Sequence, residues 1–261
     1  MTWLIDDVCL ELGKKTILSQ ARAPIYAGKL TSLLGPNGAG KSSLFKVMVG
    51  EHRPTQGKVW FKQQPLSSYR VNQLARQRAV LPQHAVLDMR MSALEVVMLG
   101  RMPWKETDQQ ILPMAKQVME MTDCAHLADR MASVLSGGEQ MRVNLARCLL
   151  QIWSEDGDLS ERWLILDEPL APLDIAHQLA VMRLLKNLVE VHGLSVIMTL
   201  HDLTTALQWS DDVLLMSKGS ICACGSVCQV MTEQHIEQVY RVRCLKVEQA
   251  GRAWLMFDEV G

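Results

Sequence analysis

The sequence predicts an α/β fold, a mostly parallel sheet covered by helices on both faces, with a helical subdomain inserted into it. Three observations predict this. Short apolar runs alternate with helical periodicities up to about residue 84 and again from about residue 160, the pattern of strand–helix units in a parallel sheet. Between about 85 and 155 the character changes to successive helical spacings. Each glycine-rich or acidic motif follows a strand or opens a helix, where open α/β sheets bind their ligands.

In order along the chain, Thr2 to Leu12 is β-rich, and Lys29 to Leu34 is a short apolar strand feeding a glycine-rich loop. Lys41 to Val49 reads as a helix stopped by Gly50. Gly57 to Phe61 and Ala79 to Pro82 are further strands. Ser92-Ala93-Leu94-Glu95 is a capping box, followed by an apolar face of Val96, Val97 and Leu99. Gln109 to Met121 and Glu139 to Ile152 have helical spacing, the second with Met141, Leu145, Cys148 and Leu149 on one side. Residues 154–158 are a polar loop returning to the core. Trp163 to Asp167 is a buried strand, Asp174 caps a helix ending at Gly193, Ser195 to Leu200 is a strand, and Asp202 caps the next helix.

Composition bounds the function. The 261 residues are 48% hydrophobic, enough for a substantial core in one large domain. A formal charge of −1 argues against a general nucleic-acid binder. No apolar stretch approaches the roughly 18 residues of a membrane span. Asp6 and Asp7 stand where a signal peptide would be basic, so a cytosolic protein is expected. Seven cysteines in a chain of this size do not suggest a disulfide framework. Cys222, Cys224 and Cys228 cluster, but Cys222 and Cys224 alternate as in a strand, and buried thiols in a reducing compartment are expected rather than a metal site.

The chemistry is concentrated in four places. In Gly35-Pro36-Asn37-Gly38-Ala39-Gly40-Lys41-Ser42-Ser43 the glycines let the backbone curl around an anion, and the N–H groups opening the next helix point at phosphate. Lys41 adds a charge for the β- and γ-phosphates, and Ser42 a hydroxyl for Mg²⁺. Asp167 ends an apolar strand aimed at the metal, and Glu168 beside it suits the attacking water, although two acids can also simply close a strand. Gln83 and His201 each follow a strand, Gln83 within reach of metal or water and His201 of a γ-phosphate; a lone histidine in such a place is more often structural. Leu135-Ser136-Gly137-Gly138-Glu139 fits a capping box, which explains the serine and the glutamate. It does not explain two glycines, each costing a helix ~1 kcal/mol relative to alanine. A helix N-terminus with bare backbone is a second phosphate site, one with no evident partner in its own chain. That mismatch suggests a dimer.

With these motifs in place, nearly the whole chain resembles the ATP-binding subunits of ABC transporters. Gly35 to Ser42 matches their Walker A loop, Leu135 to Glu139 their signature, and Leu164 to Glu168 their Walker B strand with its catalytic glutamate. Gln83 falls at the Q-loop, Asp174 at the end of the D-loop and His201 at the switch histidine. The resemblance implies a P-loop NTPase core with an N-terminal antiparallel β subdomain and an inserted helical (signature) subdomain, the core spanning about 1–84 and 160–261 and the insertion about 85–159. It implies ATP and Mg²⁺ as ligands, the metal held by Ser42, Gln83 and Asp167. It implies a head-to-tail homodimer in which Ser136 and Gly138 serve the partner's ATP, and two permease subunits in the membrane, with this chain peripheral on the cytoplasmic side of the bacterial inner membrane. Two departures stand out. Leu12, 23 positions before Gly35, replaces the family's adenine-stacking aromatic residue, so weak discrimination between ATP and GTP is expected. Ala171-Pro172-Leu173-Asp174 replaces the usual Ser-Ala-Leu-Asp, which removes a hydroxyl and stiffens the turn.

A finer similarity is to importer subunits for haemin, and more widely for vitamin B12 and iron-siderophores. It is carried by Arg78 to His84, Leu94 to Arg101 and the polar insertion at 154–162. A periplasmic haem-binding protein would complete such a system. The cargo does not touch this subunit. Met89, Met91, Met98 and Met102 could receive the permease or simply fill core, and core filling is the slightly favoured reading. A soluble ABC-type ATPase acting on DNA or ribosomes would be expected to carry coiled coils or tandem units, and neither is found here. A small-molecule kinase would leave the signature unexplained.

Overall fold

The computed structural model describes residues 2–83, 90–249 and 251–258. In chain order it forms β1 (Trp3–Leu12), β2 (Lys15–Ile25), β3 (Leu30–Leu34), α1 (Lys41–Val49), β4 (Gln56–Phe61), β5 (Gln64–Pro65), α2 (Val71–Ala75), β6 (Arg78–Leu81), α3 (Ala93–Met98), α4 (Asp108–Met121), α5 (Gly137–Ile152) and β7 (Trp163–Leu166). It continues with α6 (Ile175–His192), β8 (Ser195–Thr199), α7 (Leu203–Trp209), β9 (Asp212–Ser217), β10 (Ser220–Ser226), α8 (Val227–Val230), α9 (Glu233–Tyr240), β11 (Arg243–Gln249) and β12 (Arg252–Asp258). Two compact units divide the chain, one of Met1–Tyr69 with Ile197–Gly261 and one of Arg70–Val196.

In the first unit β1 and β2 make an antiparallel hairpin, extended in the order β2-β1-β4-β5. Alternation buries Trp3 and Ile5, and strict alternation would then turn Asp7 inward. Instead Asp7 takes φ 48 and the register slips between Ile5 and Val8, so Val8 and Leu10 face the core. A similar irregularity at Gln20, φ 46, separates buried Leu18 from buried Ala21, Ala23 and Ile25. Trp3 lies opposite Phe61 across the strands with ring centroids 4.6 Å apart, a pair of ~1 kcal/mol beyond its burial. The second sheet of this unit runs β10-β9-β3-β8, with β3 and β9 parallel and every residue of β3 buried. Hairpin β11–β12 is tied to α7 by Gln208 Nε2 donating to the Ala253 carbonyl (3.0 Å), and to α9 by the Cys244 amide donating to Glu237 Oε1 (2.9 Å).

In the second unit β6 and β7 pair in parallel, Ala79 opposite Leu164. The caps read from the sequence are all made. Ser92 and Glu95 exchange backbone and side-chain hydrogen bonds, Asp174 Oδ1 accepts the His177 amide at 2.9 Å, and Gly193 closes α6 at φ 70; in the first unit, Asp202 accepts the amides of Thr204 and Thr205. Helix α5 departs from a one-faced amphipathic reading, because it is covered on several sides: Arg142, Val143, Asn144 and Ala146 are buried as well as the expected Met141, Leu145, Cys148 and Leu149. Its C-terminal end is capped from outside. Arg101, 5% exposed, donates from Nη1 to the carbonyls of Leu150 (3.1 Å) and Trp153 (2.9 Å), and Trp104 Nε1 donates to the Gln151 carbonyl (2.8 Å). Arg101 also pairs with Glu106 and stacks its guanidinium 4.5 Å from the Trp104 ring centre.

Two expectations are corrected. Cys222 and Cys224 do lie on a strand, β10, but they and Cys228 are exposed, because β10 stands at the edge of its sheet among the described residues; the buried thiols are Cys124, Cys148 and Cys244. Among the methionines grouped after Gln83, Met91 and Met98 are half-buried and Met102 is 77% exposed, so Met102 is not core filling. Met89 and His84 lie outside the described residues.

Candidate functional site

In the first unit, β3 delivers the chain into the loop at Gly35. Loop residues Asn37 and Gly38 are exposed, while Ala39 and Lys41 are buried. The turn is closed by the Ala39 amide donating to the Pro36 carbonyl (3.1 Å), and helix α1 starts with the Leu44 amide donating to the Gly40 carbonyl (2.8 Å). Two glycines are required by space as well as by conformation. Gly35 has φ 151, and a Cβ there would lie 2.5 Å from the Met216 carbonyl oxygen. Gly40 has φ 101, and its Cβ would meet Leu18 at 3.0 Å. The loop is thus seated between β2 and β9. Lys41 Nζ donates to the carbonyls of Gly35 (2.7 Å) and Pro36 (3.3 Å), so its ammonium sits at the loop where a phosphate oxygen can take over those bonds with charge assistance. Ser42 is exposed, Ser43 is half-buried, and His201 is exposed just beyond β8.

One residue of this region was not legible in the sequence. Tyr240, at the end of α9, takes a hydrogen bond from the Gly35 backbone, and burial pushes its phenol up to about 12. It lies some 200 residues from the loop it touches, and no local pattern announces such a contact.

In the second unit, parallel pairing of β6 and β7 brings Gln83 next to the acids. The Asp167 amide donates to the Leu81 carbonyl (2.9 Å), and Gln83 Nε2 donates to Glu168 Oε2 at 2.7 Å. Asp167 is 6% exposed. Glu168 takes φ 50, an unfavourable left-handed conformation for a residue with a side chain, of the kind that clusters at functional sites. Gln83, Asp167 and Glu168 line a cavity of about 180 Å³, and Gly137, Gln140 and Asn144 of α5 line it too. Within this unit the amide oxygen of Gln83 and the carboxylate of Asp167 are hard oxygen donors, of the kind that suits Mg²⁺.

The signature residues open α5. The Ser136 amide donates to Glu139 Oε2 (2.7 Å), and this bond first, then one from the Ser136 side chain, holds the Glu139 carboxyl below the usual range; Ser136 Oγ also accepts from the Glu139 amide (3.4 Å). Ser136 and Gly137 are exposed. The two glycines differ. A Cβ on Gly138 would lie 3.2 Å from the Pro172 carbonyl oxygen of the same chain, whereas a Cβ on Gly137 would have only ordinary contact, 3.8 Å from Pro172 Cβ. Close approach of the turn before α6 therefore accounts for Gly138 within one chain, and Gly137 is the glycine that its own chain leaves unexplained. Leu12, at the end of β1, is 48% exposed.

The family model described as ABC transporter matches residues 18–171. A haemin import ATP-binding protein of Hahella chejuensis is 38% identical over 247 residues, covering 94% of this chain and 95% of the relative. One from Photobacterium damselae subsp. damselae is 40% identical over 235 residues, covering 90% and 87%. Among solved structures, a chain of an ABC transporter captured inward-facing superposes with a TM-score of 0.80 at 22% identity, over 100% of this chain and 98% of the other. A dimeric ATP-binding cassette in a post-hydrolysis state with ADP and phosphate gives 0.75 at 22% identity, over 86% and 98%. The fold they share is the α/β ATPase cassette, and on the matched family model and the identity to its curated relatives this chain belongs to the ABC transporter family.

Proposed function

We propose that the chain is the ATP-hydrolysing subunit of a bacterial haemin importer. The observation that carries the ATPase assignment is the pairing of Gln83 with a strained Glu168 beside buried Asp167, in a chain that also holds a phosphate-cradling loop around Lys41. The haemin cargo is supported by the haemin import role named for relatives that align over about nine-tenths of the chain. The α/β core would span about 1–84 and 160–261, and the helical subdomain about 85–159. Two copies would work with two permease subunits and, in the wider system, a periplasmic haem-binding protein. Among the described residues no helix is long and apolar enough to cross a membrane, which fits peripheral attachment to the cytoplasmic side of the inner membrane through the permease.

In this reading the loop at 35–43, through backbone N–H groups that exclude Pro36, and the Lys41 ammonium bind the triphosphate, with Ser136 and Gly138 of the second copy closing over it. Ser42, Gln83 and Asp167 would hold Mg²⁺, which supplies charge neutralisation between the β- and γ-phosphates. Glu168 accepts a proton from, or orients, the attacking water, and its bond to Gln83 ties that group to the metal-facing side chain. His201 would steady the γ-phosphate. Closure of the pair moves the permease helices, and the cargo crosses elsewhere.

The test compares two variants. Lys41→Ala should lose ATP binding. Glu168→Gln should bind ATP normally, turn over at least about a hundredfold more slowly, and accumulate as a dimer with ATP and Mg²⁺. Normal turnover in Glu168→Gln would remove Glu168 from its role. For cargo, a deletion strain should fail to grow on haemin as its iron source while still taking up vitamin B12 and siderophores.

A further inference from the structure

Between the signature helix and the turn at 171–174 runs a line of charged groups that nucleotide chemistry does not use. Arg142, on α5, is buried with its side chain 8% exposed, and its Nη1 donates to Asp123 Oδ2 at 2.7 Å. Asp123 sits in the turn after α4 at φ 53, a left-handed conformation that aspartate tolerates better than most residues. Its other neighbour is His177, whose Nε2 lies 3.8 Å from the same carboxylate oxygen. On the opposite edge of the ring, His177 Nδ1 lies 2.8 Å from both oxygens of Asp174, which caps α6 and ends the 171–174 turn. That turn in turn touches the start of α5, where the Pro172 carbonyl oxygen would be 3.2 Å from a Cβ on Gly138.

A neutral imidazole has one N–H and can donate on one edge only, whereas an imidazolium donates on both. An imidazole flanked by a carboxylate on each edge, Asp123 and Asp174, is therefore used fully only when charged. Among the described residues, the ring is ion-paired with those two acids, and Asp123 in turn with the Arg142 guanidinium.

We propose that His177 is a positioning residue that, when protonated, ties the 171–174 turn to the signature helix, so that the two surfaces presented to the second copy move as one. This rests on the reading of the signature and the turn as parts of a two-copy ATP site. His177 touches neither nucleotide nor water. It acts through Asp174 on one side and through Asp123 and Arg142 on the other. Its effect falls on assembly of the closed pair and not on the first binding of ATP to one copy.

The experiment uses the full chain carrying Glu168→Gln, with ATP and Mg²⁺, and measures the ATP-driven monomer–dimer equilibrium by sedimentation between about pH 5.5 and pH 8, the range in which imidazoles lose their proton. Added His177→Asn keeps a donor near Asp174 and loses the reach to Asp123, and added His177→Gln places its donor nearer Asp123; neither titrates. Dimerisation of the parent should weaken with rising pH by about threefold more than in either added variant, the size expected of a half-exposed ionic bridge. Binding of a fluorescent ATP analogue to the monomer should be alike in all three. His201 is retained throughout, so any contribution it makes to the profile is common to the set. Identical pH profiles in all three, or a change in monomer affinity equal to the change in dimerisation, would overturn the bridge while leaving the ATPase reading intact. Failure of Glu168→Gln itself to dimerise at any pH would overturn the two-copy site, and the role of His177 with it.

Discussion

Leu12 offers adenine no π-face, and base stacking on an aromatic ring is worth about 1–3 kcal/mol. Leu12 is 48% exposed and aliphatic, and in the proposed site binding energy would come chiefly from the triphosphate at the Lys41 loop, which is common to all nucleotides. ATP and GTP should therefore bind within about tenfold of each other, ~1.4 kcal/mol, in a direct titration, and Leu12→Tyr should tighten both by up to about tenfold. Discrimination beyond tenfold in the unmodified chain would mean that another group reads the base. At this scale the groups proposed for the chemistry were legible, because Lys41, Asp167, Glu168 and Gln83 stand in short motifs next to strands. The groups that hold them were not. Tyr240 meets Gly35, and His177 meets Asp123, across separations in sequence that carry no local signal.

Among the elements, α5 shows how much a helix end can depend on residues far from it. Its last carbonyls are taken by Arg101 and Trp104, some 50 residues upstream, and the guanidinium complements the helix dipole while its other edge pairs with Glu106. Arg101→Met keeps most of the volume but leaves those carbonyls and a largely buried carboxylate without their cation. It should cost about 3 kcal/mol, read as a lower denaturant midpoint at unchanged slope. Arg101→Lys should recover only part, since one ammonium cannot span both the carbonyls and Glu106. An unchanged midpoint in Arg101→Met would show that the contacts contribute nothing net. The elements read correctly from sequence were those with punctuation, such as α1 between Gly40 and Gly50 or α6 between Asp174 and Gly193. The hairpin strand β2 was missed because the irregularity at Gln20 breaks its alternation, and half of its buried positions are small alanines. Helix α5 was legible as a helix and misjudged as one-faced, because Arg142 and Asn144 are polar and yet buried.

For the whole molecule, stability and nucleotide state should be linked by mass action. A ligand that binds only the folded chain adds RT ln(1 + [L]/Kd), about 2.7 kcal/mol at a hundredfold excess over Kd, and in a chain of this size each kcal/mol moves the thermal midpoint by about 2–4 °C. MgATP at that excess should raise the midpoint of the Glu168→Gln protein by roughly 5–10 °C. If two copies close over the nucleotide, dissociation is part of unfolding, and the midpoint must also rise with protein concentration when ATP is present and stay constant when it is absent. Lys41→Ala should show neither effect, because its loop keeps the fold-determining contacts of Gly35 and Gly40 but lacks the cation. The two dependences separate two claims. A shift with ATP but none with protein concentration would support nucleotide binding by one copy and refute a shared site. Absence of any shift would refute the nucleotide site itself, since a ligand bound only to the folded chain must raise its midpoint.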